Sequence, residues 1–124
     1  DLGTLAAEIK DKKIYLNENI VKVITKEKLS KENFSTALDF VRLHKLKKDN
    51  NIYHHIGIYA YKAKILEKFI SLKQTKNEIS SRLEQLRALD NKIKISVTLA
   101  KSSPIGVDTK EDYLAIKKIM EYKS

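Results

Sequence analysis

The ten residues 52–61 constrain the fold of this chain more than any other stretch. Their sequence, Ile-Tyr-His-His-Ile-Gly-Ile-Tyr-Ala-Tyr, is rich in the aromatic and β-branched residues that strands favour. Gly57 interrupts the run, and a glycine inside a strand often marks a bulge or the close approach of a ligand or another backbone. The sequence therefore predicts a strand with a local irregularity, around which the other elements are arranged.

Two further stretches have clear strand patterns. Residues 20–25 are almost all β-branched, and residues 93–99 alternate, with apolar side chains at the odd positions. Residues 2–9 fit a strand or a helix end, and residues 34–43 fit a helix or a strand, because their apolar positions match both periods. Helices are predicted at residues 63–72, 77–90 and 109–122. The mixture predicts an α/β or α+β domain with a thin sheet covered by helices.

Length and composition limit the class of protein. With 124 residues, of which 42% are hydrophobic, the chain can build the core of one domain. It contains no cysteine, which excludes disulfides and cysteine-based zinc sites. No apolar run approaches the roughly 20 residues of a membrane helix. The chain starts at Asp1 without an initiator methionine or a signal-like segment, so we expect it to be a piece of a longer protein.

The net charge of +9 invites a nucleic-acid interpretation, but the kind of basic residue argues against it. Only three of the 25 basic residues are arginine, and arginine provides the bidentate contacts to phosphates and bases. The lysines are spread along the chain among 16 acidic residues. The composition favours a solvated basic surface over a nucleic-acid interface.

A carboxylate stands at the corner formed by residues 103–112, where a strand-rich region ends and the last predicted helix begins. Thr109 fits an N-cap with Asp112 three residues later, so Asp108 could simply help to satisfy free amides at the helix start. The alternative is that Asp108 is a metal ligand. Spacing alone favours capping, because acidic residues before helices are common.

Other candidate groups have ordinary structural explanations. His54 and His55 are adjacent on a predicted strand and point to opposite faces, so they cannot share one metal ion. His55 alone could contact a ligand beside Tyr59, or it could be a satisfied, half-buried histidine. Glu84 and Arg87 lie three apart on a predicted helix, where an ion pair within the helix is expected.

Five segments together resemble 3-deoxy-manno-octulosonate cytidylyltransferases, the CMP-Kdo synthetases, in their C-terminal half. The segment 17–23 resembles that family's Asn-Pro-Asn-x-Val-Lys-Val, and the segment 37–42 resembles its Ala-Leu-Tyr-Phe-Ser-Arg. The other three are His-Ile-Gly-Ile-Tyr-Ala-Tyr-Lys at 55–62, Leu-Glu-Gln-Leu-Arg-Ala-Leu at 83–89 and Gly-Val-Asp-Thr-Lys-Glu-Asp at 106–112. They occur in the family's order and at about its spacing, so the resemblance covers nearly the whole chain.

The resemblance implies an α/β fold, namely the C-terminal part of a three-layer, nucleotide-diphospho-sugar transferase-like domain with a mixed sheet and flanking helices. Residues 1–124 would form the sugar-binding and dimerisation part of a single nucleotidyltransferase domain, with the nucleotide-binding half outside this chain. The implied enzyme joins CTP and Kdo to give CMP-Kdo and pyrophosphate for lipopolysaccharide biosynthesis, with Mg²⁺ as cofactor. A cytoplasmic homodimer without nucleic-acid or membrane partners is implied as well, and the fragment alone would be inactive.

The same resemblance implies roles for single residues. Asp108 would be a Mg²⁺ ligand, and Arg42 would contact the anionic sugar or a phosphate. Four residues would line the Kdo pocket: His55, Tyr59, Glu84 and Gln85.

The chain departs from the family pattern in several places. The family's Ser-Arg-Ile-Pro region here reads Val41-Arg42-Leu43-His44, which affects the placement of Arg42. Ser81 replaces a glutamate before the Leu-Glu-Gln segment, and Lys110 replaces a proline after Asp-Thr. An alternative function from another class is a non-catalytic basic domain that binds RNA or a protein partner. Close neighbours within the first class use other acidic sugars, including sialate.

Overall fold

The computed structural model describes residues 2–42, 51–100 and 110–123. Within these ranges five strands form one sheet: β1 (Leu2–Ala7), β2 (Lys22–Thr25), β3 (Ser35–Val41), β4 (Asn51–Tyr61) and β5 (Ile95–Leu99). The same residues form five helices: α1 (Lys12–Leu16), α2 (Ala63–Ser71), α3 (Lys76–Ser81), α4 (Gln85–Asp90) and α5 (Lys110–Lys123). The two ambiguous stretches near residues 5 and 38 are therefore both strands.

The sheet is mixed and closes on itself in the order β1-β4-β2-β3-β5. β4, with 11 residues, is the longest of the described strands, and it pairs antiparallel with both β1 and β2. β5 runs parallel to β1 and meets β3 through only two residue pairs. The predicted α/β class with a mixed sheet and flanking helices is confirmed.

A bulge in β3 explains why its sequence fitted two periods. Ile24 pairs with Asp39 while the next residue, Thr25, pairs with Ala37, so Leu38 is extra on β3. Ala37 and Phe40 are both buried, although three positions separate them, because the bulge restarts the alternation between the two faces. An unbroken strand would have placed them on opposite faces.

The single helix predicted at residues 77–90 is wrong, since the chain breaks between α3 and α4. Arg82 has a left-handed conformation with φ 55° and ends α3. The break lets the Arg87 guanidinium reach the Glu78 carboxylate at 2.8 and 2.6 Å. In one continuous helix residues nine apart lie roughly 13 Å apart along the axis, too far for this pair. Ile79 of α3 is 60% exposed, whereas Leu83 and Leu86, which would lie on the same face of a continuous helix, are buried.

The core lies inside the closed sheet and beneath α2 and α4. Val23, Phe40, Ile95 and Val97 are buried almost completely. β5 presents its odd positions inward, as the alternation predicts, with Ile95 and Val97 at 0% exposure. Among the described residues the helices contribute fewer buried side chains, namely the apolar Phe69, Leu86 and Ala88 and the charged Glu78.

The charged side chain of Lys22 is buried in the core. Lys22 is 0% exposed, and its ammonium donates to the carbonyl oxygens of Asn17, at 2.5 Å, and of Arg42. Burial, together with the positive charge of Arg42, lowers the pKa of Lys22. Through these two hydrogen bonds, Lys22 links Arg42, the residue that follows β3, to the segment that precedes β2.

Membrane insertion through a helix finds no support in the described ranges. None of the helices there has both the length and the apolar character needed to cross a bilayer.

Candidate functional site

A bulge in β4 shapes the region around His55 and Tyr59. Thr4 of β1 pairs with Tyr59, but the next residue, Leu5, pairs with Ile56. Gly57 and Ile58 are thus left outside the regular pairing, which confirms the irregularity that the glycine indicated. Because two residues are skipped, His55 and Tyr59 keep the same orientation relative to the sheet.

His55 is held on several sides. Its Nε2 lies 2.9 Å from the Thr4 hydroxyl oxygen, and its ring packs against Phe40, with centroids 4.9 Å apart. The Tyr59 ring follows, with its centroid 5.5 Å from that of His55. Burial, with a smaller contribution from His54, lowers the pKa of His55 to about 4, so the imidazole is neutral at pH 7.

Aromatic rings continue from His55 toward the helices. Tyr59 and Tyr61 have centroids 6.1 Å apart, and Tyr61 and Phe69 of α2 have centroids 6.2 Å apart. Burial raises the pKa of both tyrosine hydroxyls, and the nearby Glu84 carboxylate raises both further. The hydroxyls are therefore protonated and can donate or accept hydrogen bonds beside Glu84. We call the rings of Phe40, His55, Tyr59, Tyr61 and Phe69 the ring row.

Glu84 and Gln85 stand at the start of α4. Glu84 is the residue before the helix and its side chain is 71% exposed, whereas Gln85 is half-buried in the first turn. Because the Glu84 carboxylate affects the pKa of Tyr59 and Tyr61, it must lie near these rings. Three of the predicted sugar-pocket residues, His55, Tyr59 and Glu84, are therefore in one region. Gln85 is adjacent to Glu84 along the chain.

Arg42 contacts the backbone at the break between α3 and α4. Its guanidinium donates to the carbonyl oxygens of Ser81 at 3.2 Å, Arg82 at 3.3 Å and Glu18 at 3.5 Å. Within the described residues this leaves one N–H on each Nη without a hydrogen bond. Arg42 thus supports the left-handed turn that precedes Glu84, and it retains donors for an anion.

The ion pair expected between Glu84 and Arg87 is minor. The two side chains approach to 4.0 Å, whereas Arg87 binds Glu78 through two short hydrogen bonds. Arg87 also lies over the Phe69 ring, 4.8 Å from its centroid. Because Glu78 engages Arg87, the Glu84 carboxylate is largely free to act on other groups.

A cavity of about 710 Å³ lies between β3 and the α3–α4 pair. Its lining includes Arg42 and Phe40 together with polar side chains such as Asp39, Asn77 and Asp90. The four predicted sugar-pocket residues do not line it. The structure therefore places Arg42 on the cavity and places His55 and Tyr59 in the ring row, which Phe40 joins to the cavity.

The predicted metal ligand, Asp108, lies outside the described residues. Within residues 2–42, 51–100 and 110–123, no group of three or more histidine, aspartate and glutamate side chains comes together as a metal site. His44, the third histidine of the chain, also lies outside these ranges. The metal role of Asp108 stays a prediction.

Sequence reasoning missed Thr4, Lys22 and Glu78. Thr4 contacts His55 across 51 positions of the chain, and no local pattern marks it. Lys22 sits in a β-branched run and resembles any strand lysine, although it is fully buried. Glu78 had one local signal, because Thr75 and Glu78 form a capping box that the Thr-x-x-Glu spacing indicates.

Comparison with known proteins gives the class of protein. A family model described as Cytidylyltransferase matches residues 1–95. The chain belongs to this cytidylyltransferase family.

The similar proteins carry a more specific name. The chain is 42% identical over 120 residues to the 3-deoxy-manno-octulosonate cytidylyltransferase of Bartonella tribocorum, covering 97% of this chain and 49% of that protein. It is 41% identical over 120 residues to the protein of the same name from Agrobacterium fabrum, covering 97% of this chain and 47% of the relative. The chain thus spans about half the length of the curated relatives it matches.

A solved structure shares the fold. It is the CMP:2-keto-3-deoxy-manno-octonic acid synthetase complexed with CTP, with a TM-score of 0.80 and 24% sequence identity. The match covers 99% of this chain and 50% of that chain. At this identity the comparison shows that the fold is shared.

The low pKa of His55 gives a pH-dependent stability. Between pH 6.5 and about 4 the unfolded chain binds a proton at His55 that the folded chain does not, so the free energy of unfolding falls as pH falls through this window. We expect a loss of up to about 3 kcal/mol relative to a His55→Gln variant. Urea unfolding of both proteins at several pH values measures it, and parallel pH curves would contradict the burial of a neutral imidazole.

Proposed function

We propose that the protein containing this chain is a CMP-Kdo synthetase, which joins CTP and Kdo to give CMP-Kdo and pyrophosphate. The observation that carries the proposal is the 42% identity over 120 residues to a relative of that name. The grouping of His55, Tyr59 and Glu84 supports it, because the rings of His55 and Tyr59 are neighbours and the Glu84 carboxylate, from a distant segment, is close enough to raise the pKa of Tyr59. The structural neighbour is a synthetase complexed with CTP, which is consistent with CTP as the nucleotide substrate.

The proposed reaction is an attack of the sugar's anomeric hydroxyl on the α-phosphorus of CTP. A new bond forms between the sugar oxygen and the α-phosphorus. The bond between the α-phosphorus and the oxygen that bridges to the β-phosphorus breaks, and pyrophosphate leaves. The hydroxyl proton passes to solvent or to a nearby base. No covalent intermediate with the protein is required, so the side chains act by positioning and by electrostatics.

Each predicted residue has a part in this proposal. Arg42 offers its two remaining N–H groups to the sugar carboxylate or to a phosphate, as a guanidinium is suited to do. His55 and Tyr59 offer neutral polar atoms to the sugar hydroxyls, and the exposed Glu84 carboxylate can accept hydrogen bonds from further hydroxyls. Gln85 adds an amide beside Glu84.

Asp108 is proposed to hold Mg²⁺ together with a carboxylate outside this chain. A hard cation prefers carboxylate oxygens and keeps several waters, so a single aspartate is a chemically suitable contribution. When bound, Mg²⁺ would neutralise charge on the phosphates. The protein is further proposed to act as a homodimer in the cytoplasm.

The test is an assay of pyrophosphate release by the full-length protein with CTP, Kdo and Mg²⁺. Omitting Kdo, or replacing it with sialate, controls for CTP hydrolysis and for a different acidic sugar. Release that depends on Kdo supports the proposal. Release with sialate alone would assign another sugar within the family, and no release with salt-dependent RNA binding would favour a non-catalytic basic domain.

A further inference from the structure

The Thr4 hydroxyl has several acceptors around it and only one proton. Its oxygen lies 2.9 Å from the Ile58 carbonyl oxygen and 3.3 Å from the Ile56 carbonyl oxygen. Ile58 is the second residue of the two-residue bulge of β4, and Ile56 is the residue just before the bulge. The same hydroxyl oxygen lies 2.9 Å from Nε2 of His55. Thr4 is itself 4% exposed, so water has little access to this group.

These distances fix the direction of the hydrogen bonds. A carbonyl oxygen can only accept, so the Thr4 proton must go to Ile58 or be shared with Ile56. Toward His55 the Thr4 oxygen then has only lone pairs, so it can accept a hydrogen bond but cannot donate one. The contact at 2.9 Å is favourable when Nε2 of His55 carries the proton and donates it to Thr4. If Nε2 carried no proton, it and the Thr4 oxygen would both be acceptors, and neither could donate a hydrogen bond to the other.

The other ring nitrogen of His55 is left as an acceptor. A neutral imidazole protonated at Nε2 has an unprotonated Nδ1. Nδ1 makes no hydrogen bond to any of the described residues. No fully buried side-chain nitrogen or oxygen in the described part of the chain lacks a hydrogen-bond partner, so Nδ1 is not fully buried. It is the ring atom to which a bound molecule can donate a hydrogen bond. The depressed pKa of His55 agrees with a neutral ring.

We propose that Thr4 is a positioning residue that fixes His55 as the Nε2-protonated tautomer, so that Nδ1 accepts a hydrogen bond from a hydroxyl of the bound sugar. The second part of this statement rests on the proposed function. The tautomer itself follows from contacts within the protein alone. The Ile56 and Ile58 carbonyls at the β4 bulge accept the Thr4 proton, and this determines which nitrogen of His55 is protonated.

The tautomer restricts which part of a ligand can sit at His55. An unprotonated nitrogen attracts a hydroxyl or an amine hydrogen and disfavours a carboxylate or phosphate oxygen, which has no proton to give. Anionic groups belong instead at the N–H groups of Arg42 that no described residue uses. The two side chains therefore favour different parts of a polyhydroxylated acid.

The first measurement is ¹⁵N NMR of the histidine rings in the ligand-free protein at pH 7. The chain has three histidines, and a His55→Gln variant identifies the signals of interest. We expect Nε2 of His55 to show the shift and the proton coupling of a protonated nitrogen and Nδ1 to show those of an unprotonated one. The reverse assignment would overturn the proposal, whatever the activity of the protein.

The second measurement compares Thr4→Val, which keeps the shape but removes the hydroxyl, with Thr4→Ser, which keeps the hydroxyl. In Thr4→Val we expect a mixture of both tautomers and a KM for Kdo about 3- to 10-fold higher, the usual size of one hydrogen bond. Thr4→Ser should retain the wild-type tautomer and nearly the wild-type KM. A Thr4→Val protein with unchanged tautomer and KM would refute the positioning role.

The two measurements separate the inference from the proposed function. If the wild-type spectrum shows the expected tautomer but no Kdo-dependent pyrophosphate release occurs, the proposed function fails and the role of Thr4 in fixing the tautomer stands. If release occurs and the spectrum shows Nδ1 protonated, the function stands and this inference fails. The wild-type spectrum decides the tautomer even where Thr4→Val does not fold.

Discussion

Replacing Asp108 by asparagine in the full-length protein is expected to lower the rate of pyrophosphate release roughly 10²- to 10³-fold. The substitution keeps the size of the side chain and removes its charge. An amide oxygen is a much weaker ligand for Mg²⁺ than a carboxylate oxygen, so the affinity for the metal should fall with the rate. The rate and the Mg²⁺ concentration that gives half-maximal rate are the quantities to measure.

Asparagine also separates the two interpretations of Asp108. Asparagine satisfies free amides at a helix start about as well as aspartate does. A residue that only caps the helix would therefore tolerate the change, with turnover and thermal unfolding both near wild type. The matched control is Glu111→Gln, which removes one negative charge from an exposed side chain at the start of α5. Wild-type turnover in Asp108→Asn would remove the metal role from the proposal.

The variant Glu78→Ala, which breaks the Glu78–Arg87 pair, is expected to lower the midpoint of thermal unfolding by roughly 10 °C. This is a much larger loss of stability than we expect from its control, Glu84→Gln. The Glu78 side chain is 6% exposed and the Arg87 side chain is 12% exposed. The hydrogen bond from Arg87, followed by one from Thr75, holds the pKa of Glu78 below its usual range. Removing the carboxylate leaves a nearly buried guanidinium without its partner, and also removes half of the capping box at Thr75.

The control for this prediction is Glu84→Gln, because Glu84 is the other carboxylate near Arg87. Its contact is 4.0 Å long and its side chain is 71% exposed, so the midpoint should change by little. Circular dichroism during heating measures both variants. A double-mutant cycle with Arg87→Met gives the coupling between the two partners. A Glu78→Ala midpoint equal to that of Glu84→Gln would show that the pair does not hold α3 against α4.

The sequence predicted the fold wherever side chains alternate without interruption. β5 shows this most clearly, because its odd positions are apolar and its inward face is buried. β3 could not be assigned from sequence, because the extra Leu38 changes the alternation and imitates a helical period. The break at Arg82 could not be predicted either. It contains no glycine or proline, and it depends on the contact between Glu78 and Arg87 and on the support that Arg42 gives to two carbonyl oxygens.

The candidate site was predicted in part. His55 and Tyr59 are separated by four positions on one strand, so a common face followed from strand geometry once a strand was recognised. Glu84 joins them only because of tertiary packing, and the resemblance, not the periodicity, suggested its role. Thr4 and Lys22 act on His55 and Arg42 from other strands. Such contacts depend on strand pairing across the whole sheet, which local patterns do not encode.

The parallel pairing of β1 with β5 has a consequence for how the chain reaches its folded state. Leu2 pairs with Ile95, residues 93 positions apart (95 − 2), and this pairing closes the sheet. During synthesis the sheet cannot close until β5 has left the ribosome. Until then the edge of β1 that pairs with β5 has no neighbouring strand, although the intervening helices can already form. Contacts between such distant residues slow folding, and an open strand edge invites association with other chains. Cells producing this chain are expected to need chaperones at that stage more than they would for a protein built from local hairpins.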